Sequence, residues 1–142
     1  MKYLTGKHAL NIECELDTFG DWHQSAIQWE NLSLCESQDS IFGEYGIESE
    51  KQIPNHSNKY YVANHIRALL DMLEQGNFPI AQGMKNDFIC NDSYTEEIFM
   101  KVEMLNNQPH WNLIDEFMGR EYKVQWLQFK EKQGNGKMAE IA

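Results

Sequence analysis

The sequence predicts a single-domain α+β fold, with a small antiparallel sheet from the N-terminal third packed against about three substantial helices. Three observations predict it. Leu10, Ile12, Cys14 and Leu16 alternate with Asn11, Glu13 and Glu15, the period of two expected of a strand with one buried face. Val62, Ile66, Leu69, Leu70 and Leu73 recur at the three- and four-residue steps of an amphipathic helix. That spacing returns in Ile98, Val102 and Leu105, and again in Ile114, Phe117, Met118, Tyr122, Trp126 and Phe129.

Taken in order, the alternation places a strand over residues 9–16, and Asp17 to Asp21 supply turn chemistry around Gly20. A short helix is expected over 22–30, with Asp21 as N-cap and Trp22, Ala26 and Trp29 on one face. Residues 32–35 and 40–42 read as short strands, and Gly43 and Gly46 bracket a turn at Glu44 and Tyr45. Residues 48–58 are polar, carry Pro54 and read as a surface loop. The main helix is expected over 59–75, capped by Ser57 or Asn58 and closed by Gly76. Pro79 and Gly83 mark residues 77–91 as a loop with a short strand at 88–90. Ser93 and Glu96 match a capping box that opens the next helix. The last helical region covers 111–132 with a break near Gly119, and 133–142 reads as a frayed tail beyond a domain at 1–132.

A chain of 142 residues can bury one core without covalent staples. Cys14, Cys35 and Cys90 are too far apart for a zinc motif or a disulfide framework, and no CxxC or HExxH spacing occurs. The reading is of no metal and no cofactor. No apolar run reaches the roughly 18 residues of a membrane span, and the N-terminus has no secretory apolar region. The expectation is a soluble cytoplasmic protein.

Net charge is −10, and it is uneven. Residues 8–50 contain ten carboxylates and no Lys or Arg: Glu13, Glu15, Asp17, Asp21, Glu30, Glu36, Asp39, Glu44, Glu48 and Glu50. Such a stretch repels a phosphate backbone, which argues against direct nucleic-acid binding through it. It attracts a basic protein surface; the alternative is that it serves solubility alone.

Two polar clusters are candidates for chemistry. Asp21 precedes His23 in Gly20-Asp21-Trp22-His23, where the carboxylate could orient the imidazole as a general base; its other reading is a helix N-cap. Asn64-His65-Ile66-Arg67 offers an imidazole and a guanidinium that could bind a carboxylate; the other reading of Arg67 is an ion pair with Asp71 one turn on. Cys14 lies on the apolar parity of the expected strand, so burial is expected, and neither Cys35 nor Cys90 has a basic neighbour in sequence.

The run Lys2-Tyr3-Leu4-Thr5-Gly6-Lys7-His8-Ala9-Leu10-Asn11-Ile12, then Gly20-Asp21-Trp22-His23, Phe42-Gly43-Glu44-Tyr45-Gly46-Ile47 and Val62-Ala63-Asn64-His65-Ile66-Arg67-Ala68-Leu69-Leu70, resembles a small uncharacterised bacterial protein family. The resemblance extends to Ile89-Cys90-Asn91-Asp92 and Trp111, covering most of the chain. It implies a gene neighbourhood that includes toxin-like genes, and it transfers no catalytic residue.

Two functions remain on this basis. The first, which is preferred, is a non-enzymatic neutraliser, an antitoxin or inhibitor that masks a basic surface of a partner, possibly a toxin, with Glu36, Asp39, Glu44 and Glu48 around the aromatic anchors Trp22, Trp29, Phe42 and Tyr45. The second is a small enzyme or ligand-binding domain with one pocket formed by Asp21, His23, His65 and Arg67.

Overall fold

The computed structural model describes residues 1–20 and 26–141, with side chains described to residue 134. Strands β1 (Lys2–Leu4), β2 (Leu34–Glu36), β3 (Ile47–Gln52) and β4 (Lys59–Ala63) form one sheet in the order β2-β1-β4-β3. Helices α1 (Gly6–Leu10), α2 (His65–Gln75), α3 (Phe78–Ala81), α4 (Thr95–Glu103), α5 (Trp111–Tyr122) and α6 (Val124–Ile141) complete the α+β fold. The sheet is mixed rather than antiparallel. β1 runs antiparallel to β2 and β3 antiparallel to β4, but β1 and β4 pair in parallel, Tyr3 opposite Tyr61 and Leu4 opposite Val62. A parallel pair needs a long connection, and here most of residues 5–58 lie between the two central strands. No local pattern reports a pairing made across that distance.

The alternation over 9–16 does not make a strand. α1 takes residues 6–10, and the chain beyond Asn11 joins no ladder. Yet the alternation is real: Ile12, Cys14, Leu16 and Thr18 are half-buried while Glu13, Glu15, Asp17 and Phe19 are exposed. Side chains from elsewhere replace the missing ladder. Glu48 accepts from the Glu15 N–H at 2.9 Å, Lys51 donates to the Glu13 carbonyl at 2.7 Å, and His65 Nε2 donates to the Ile12 carbonyl at 2.8 Å.

Four of the five histidines are described, and each has a ring nitrogen on a main-chain carbonyl. His8 reaches Gln28, His56 reaches Trp29, His65 reaches Ile12 and His110 reaches Leu73. Three of these tie down described residues between α1 and β2, at Ile12, Gln28 and Trp29, whose carbonyls have no sheet or helix to satisfy them. The expected helix over 22–30 does not run through 26–30; its first residues, with the Asp21 cap, lie outside those described.

Residues 40–42 enter a turn rather than a strand, and residues 47–52 form β3 in place of the expected loop. The predicted helix over 59–75 divides at Asn64. Tyr60, Tyr61 and Val62 favour a pleated strand, so β4 takes them, although Val62 also fits the helical spacing. Asn64 then caps α2 through its side-chain oxygen, which accepts from the Arg67 N–H at 2.8 Å. Gly76 closes α2 in the left-handed conformation, as expected. Residues His65 to Leu73 are all buried, so α2 is the central helix of the domain.

Residues 77–91 hold α3 and a π-turn, Met84–Phe88, rather than a strand. Before α4, Asn91 rather than Ser93 supplies the capping oxygen, accepting from the Ser93 N–H at 2.9 Å. The break in the last helical region falls at Lys123, with φ of 54°, and not at Gly119, which is helical. α6 runs on to Ile141 through the stretch expected to fray. Phe99 gathers Tyr122, Trp126 and Phe129 at ring distances of 4.9, 5.2 and 5.4 Å, sealing α4 against the α5–α6 pair. Lys130 and the Trp126 indole N–H both bind Asp115, and their hydrogen bonds outweigh the burial that would raise this carboxyl and hold it below its usual range.

An ion pair lies at the centre of the domain. Arg67 is fully buried and Asp71 is 1% exposed. Arg67 Nε donates to Asp71 Oδ1 at 2.8 Å, Nη1 to the carbonyls of Gly43 and Tyr45 at 2.7 and 2.6 Å, and Nη2 to the Tyr3 hydroxyl at 2.8 Å. Asp71 Oδ2 accepts from the Tyr3 and Thr5 hydroxyls, both at 2.7 Å. Removing one partner of such a pair leaves an uncompensated buried charge, so Arg67→Met is expected to cost about 3–5 kcal/mol in urea unfolding. The double change Arg67→Met with Asp71→Leu should recover much of that loss; a double variant no better than the single one would show that the pair's geometry, not its charge, is what matters.

Candidate functional site

The acidic stretch faces water over most of its length. Glu13, Glu15, Asp17, Glu30, Asp39, Glu44 and Glu50 are exposed. Glu36 is half-buried, 3.5 Å from the amino terminus. Glu48 differs: it is buried, pairs with Lys51 and binds the Glu15 N–H, so its carboxylate is used internally. Among the described residues, the neighbouring cations Lys51 and the amino terminus are thus held by Glu48 and Glu36.

The aromatic anchors expected within this surface are mostly interior. Trp29 is 7% exposed and meets the edge of His8 at 5.3 Å. Phe42 is 5% exposed and lies under the Arg67 guanidinium at 5.6 Å. Tyr45 is half-buried; its hydroxyl donates to Glu97, its ring carries Lys101 at 4.1 Å, and burial followed by the Glu97 carboxylate pushes its pKa up. Aromatic side chains bury 150–250 Å² each, and irregular segments this long need them as core. Trp22 lies outside the described residues.

The single pocket expected of Asp21, His23, His65 and Arg67 does not form as drawn. His65 and Arg67 are both buried, and two residues apart on a helix they point about 200° away from each other. Arg67 faces Tyr3, Asp71 and the turn at Gly43, which is the ion-pair reading of that residue. His65 faces residues 12–20. Asp21 and His23 lie outside the described residues. Surface clefts beside β1 take in Asp71, Gln75 and Cys35 but neither His65 nor Arg67.

His65 instead meets Cys14. It is the first residue of α2, and its ring and main chain lie close enough to act on the Cys14 thiol. Thr18 bridges them, with its Oγ1 at 3.5 Å from Cys14 Sγ and 2.6 Å from His65 Nδ1. The Ile12 carbonyl accepts from Nε2–H, which leaves Nδ1 to accept from the Thr18 hydroxyl, whose oxygen faces the sulfur. Burial alone would raise the Cys14 thiol. The hydrogen bonds from the His65 ring, Thr18 and the His65 main chain outweigh it and bring the thiol down to about 7. Burial likewise disfavours the His65 cation, but Cys14, the Ile12 carbonyl and Glu48 push its pKa up. At Cys35 the Gln75 amide donates to the sulfur at 3.4 Å, but burial prevails and raises the thiol.

Cys14 was expected to be a buried strand residue; it is half-buried, in an irregular segment. The two partners are 51 positions apart, and the only sequence hint is Asn64, an N-cap that sets a helix start at His65. Among the described residues, no three His, Cys, Asp or Glu side chains gather as a metal site, and no helix is long and apolar enough to cross a membrane. No protein-family model, no curated protein and no solved structure matches the chain.

Gly20 sets the wall of this cluster. Its φ is +70°, and a Cβ there would lie 2.3 Å from the Leu10 carbonyl oxygen and 2.7 Å from His65 Cε1. Gly20→Ala is therefore expected to cost at least ~2 kcal/mol and to displace the His65 ring. Gly43→Ala meets no atom within 4 Å and should cost about 1 kcal/mol, from its backbone alone. Equal losses for the two in denaturant titrations would mean that Gly20 is not packed against His65.

Proposed function

We propose that the protein is an acidic binding module that neutralises a cytoplasmic partner by masking its basic surface, as an antitoxin or inhibitor does. The observation that carries this reading is the exposure of seven carboxylates within a 43-residue stretch that has no Lys or Arg. Exposed carboxylates without counter-charges speed the approach of a basic partner and repel acidic ones. Two further features support it. The two buried charged residues of α2, Arg67 and Asp71, are consumed by internal bonds and are not available to a substrate. The resemblance of most of the chain to a small uncharacterised bacterial family, which implies a neighbourhood of toxin-like genes, points the same way.

The interface differs from the one first expected. Its contacts come from Asp39 and Glu44 with Glu13, Glu15, Asp17, Glu30 and Glu50, and Glu36 contributes partly. Trp29, Phe42 and Glu48 support it from behind. The test starts with tagged protein purified from its native host and with mass spectrometry of a stoichiometric companion. Association of the purified pair is then measured against salt. Reversing Asp39, Glu44 and Glu50 to Lys should slow association by about tenfold at low salt, with the difference closing at high salt. An unchanged rate, or a companion with an acidic contact surface, would overturn the reading.

A further inference from the structure

The geometry points to Cys14 as a nucleophilic thiol that forms mixed disulfides with small cationic or neutral disulfides, using His65 as its proton partner. The Thr18 hydroxyl lies 3.5 Å from the Cys14 sulfur and 2.6 Å from His65 Nδ1, so one hydroxyl joins the thiol to the imidazole. His65 is also the first residue of the eleven-residue helix α2, whose positive end lies at this cluster. The Ile12 carbonyl fixes the imidazole so that Nδ1 faces the Thr18 hydroxyl. The thiol ionises near neutral pH, where an attacking thiol is most effective, and Cys14 is partly open to solvent.

The step balances within this site. The Cys14 proton passes to the Thr18 oxygen as the Thr18 hydroxyl proton passes to His65 Nδ1. The thiolate attacks one sulfur of the disulfide, a new S–S bond forms at Cys14, and the old S–S bond breaks. The leaving thiolate takes the proton back from Nδ1 and departs as a thiol. Nothing is needed beyond the disulfide itself.

The surroundings decide which disulfide. Glu13 and Glu15 flank Cys14 in sequence and Asp17 follows, all exposed. From β3, Glu48 is paired with Lys51, whose ammonium also binds the Glu13 carbonyl; from the segment before α4, the Tyr94 hydroxyl accepts from the Asp17 N–H. The outward charge is negative, so an anionic disulfide is repelled and a cationic one is drawn in.

The test uses the full chain carrying Cys35→Ser and Cys90→Ser, so that Cys14 is its sole thiol. Alkylation by iodoacetamide is followed against pH. The expected midpoint is near 7, and Thr18→Val or His65→Gln should move it up toward the ordinary cysteine value. The midpoint decides more than the rate does. At pH 7 the thiolate fraction rises about fifteenfold over a free cysteine, but intrinsic nucleophilicity falls about fivefold, leaving roughly threefold. Mixed-disulfide formation is then compared, by intact mass, for cystamine, hydroxyethyl disulfide and glutathione disulfide. The expected order is cation, neutral, anion, with the spread shrinking in high salt. A midpoint above 8 in the chain with His65 and Thr18 intact would overturn the inference, whether or not the His65 variant folds. So would a failure of cystamine to modify Cys14, or an order led by glutathione disulfide.

Discussion

The Arg67–Asp71 pair is the constraint on which the rest of the structure depends. A guanidinium with no exposure must have all its donors met inside the protein, and here it draws in groups from every part of the N-terminal half. Tyr3 on β1, the carbonyls of Gly43 and Tyr45 in the turn before β3, and Asp71 one turn along α2 are all bound to it. Asp71 in turn binds Tyr3 and Thr5, at the end of β1 and the start of α1. Burial and the neighbouring Asp71 carboxylate push the Tyr3 hydroxyl well above its ordinary range, and Arg67 only partly offsets them, so Tyr3 remains a donor. Gly46 is glycine for the same reason: at φ of +72° a Cβ would lie 2.7 Å from Arg67 Cβ. A short sheet of three- to six-residue strands gains little cohesion from its ladders alone, and this polar hub locks β1, the turn and α2 in one arrangement.

The long stretch between α1 and β2 is held by a different means. Its described residues have almost no regular hydrogen bonding, so their carbonyls need partners from elsewhere. Histidine rings reach them at Ile12, Gln28 and Trp29, and Lys51 reaches the carbonyl of Glu13. Polar side chains that look like candidate chemistry in a sequence here serve as supports for backbone. That use also explains why histidines appear without any metal-ligand spacing: each of the four described is placed opposite a carbonyl.

Charge in this protein is sorted by depth. Inside, Arg67, Asp71 and Glu48 are each paired or hydrogen-bonded. Outside, Glu13, Glu15, Asp17, Glu30, Asp39, Glu44 and Glu50 face water without counter-charges in their own stretch. Cys14 lies at the boundary, its sulfur turned toward the start of α2 and its neighbours Glu13 and Glu15 turned outward. A surface that attracts cations and a thiol activated from within therefore occupy adjacent positions on one irregular segment.

The sequence by itself determined the α+β class, the apolar face of α2 with its Gly76 terminus, the helices built on Ile98 and on Ile114, and the uneven charge. Each of these rests on neighbours within one or two turns, where periodicity and capping act directly. It also carried the inside–outside alternation of residues 12–19, because burial sets residue type whether or not a ladder forms. Only the tertiary structure decided that this segment is no strand, that β1 and β4 run parallel, and that residues 59–63 leave the helix for the sheet. Only it separated His65 from Arg67 and joined His65 to Cys14. The β1–β4 pairing and the approach of His65 to Cys14 join residues some fifty or more positions apart, and a local pattern holds no record of a partner that distant.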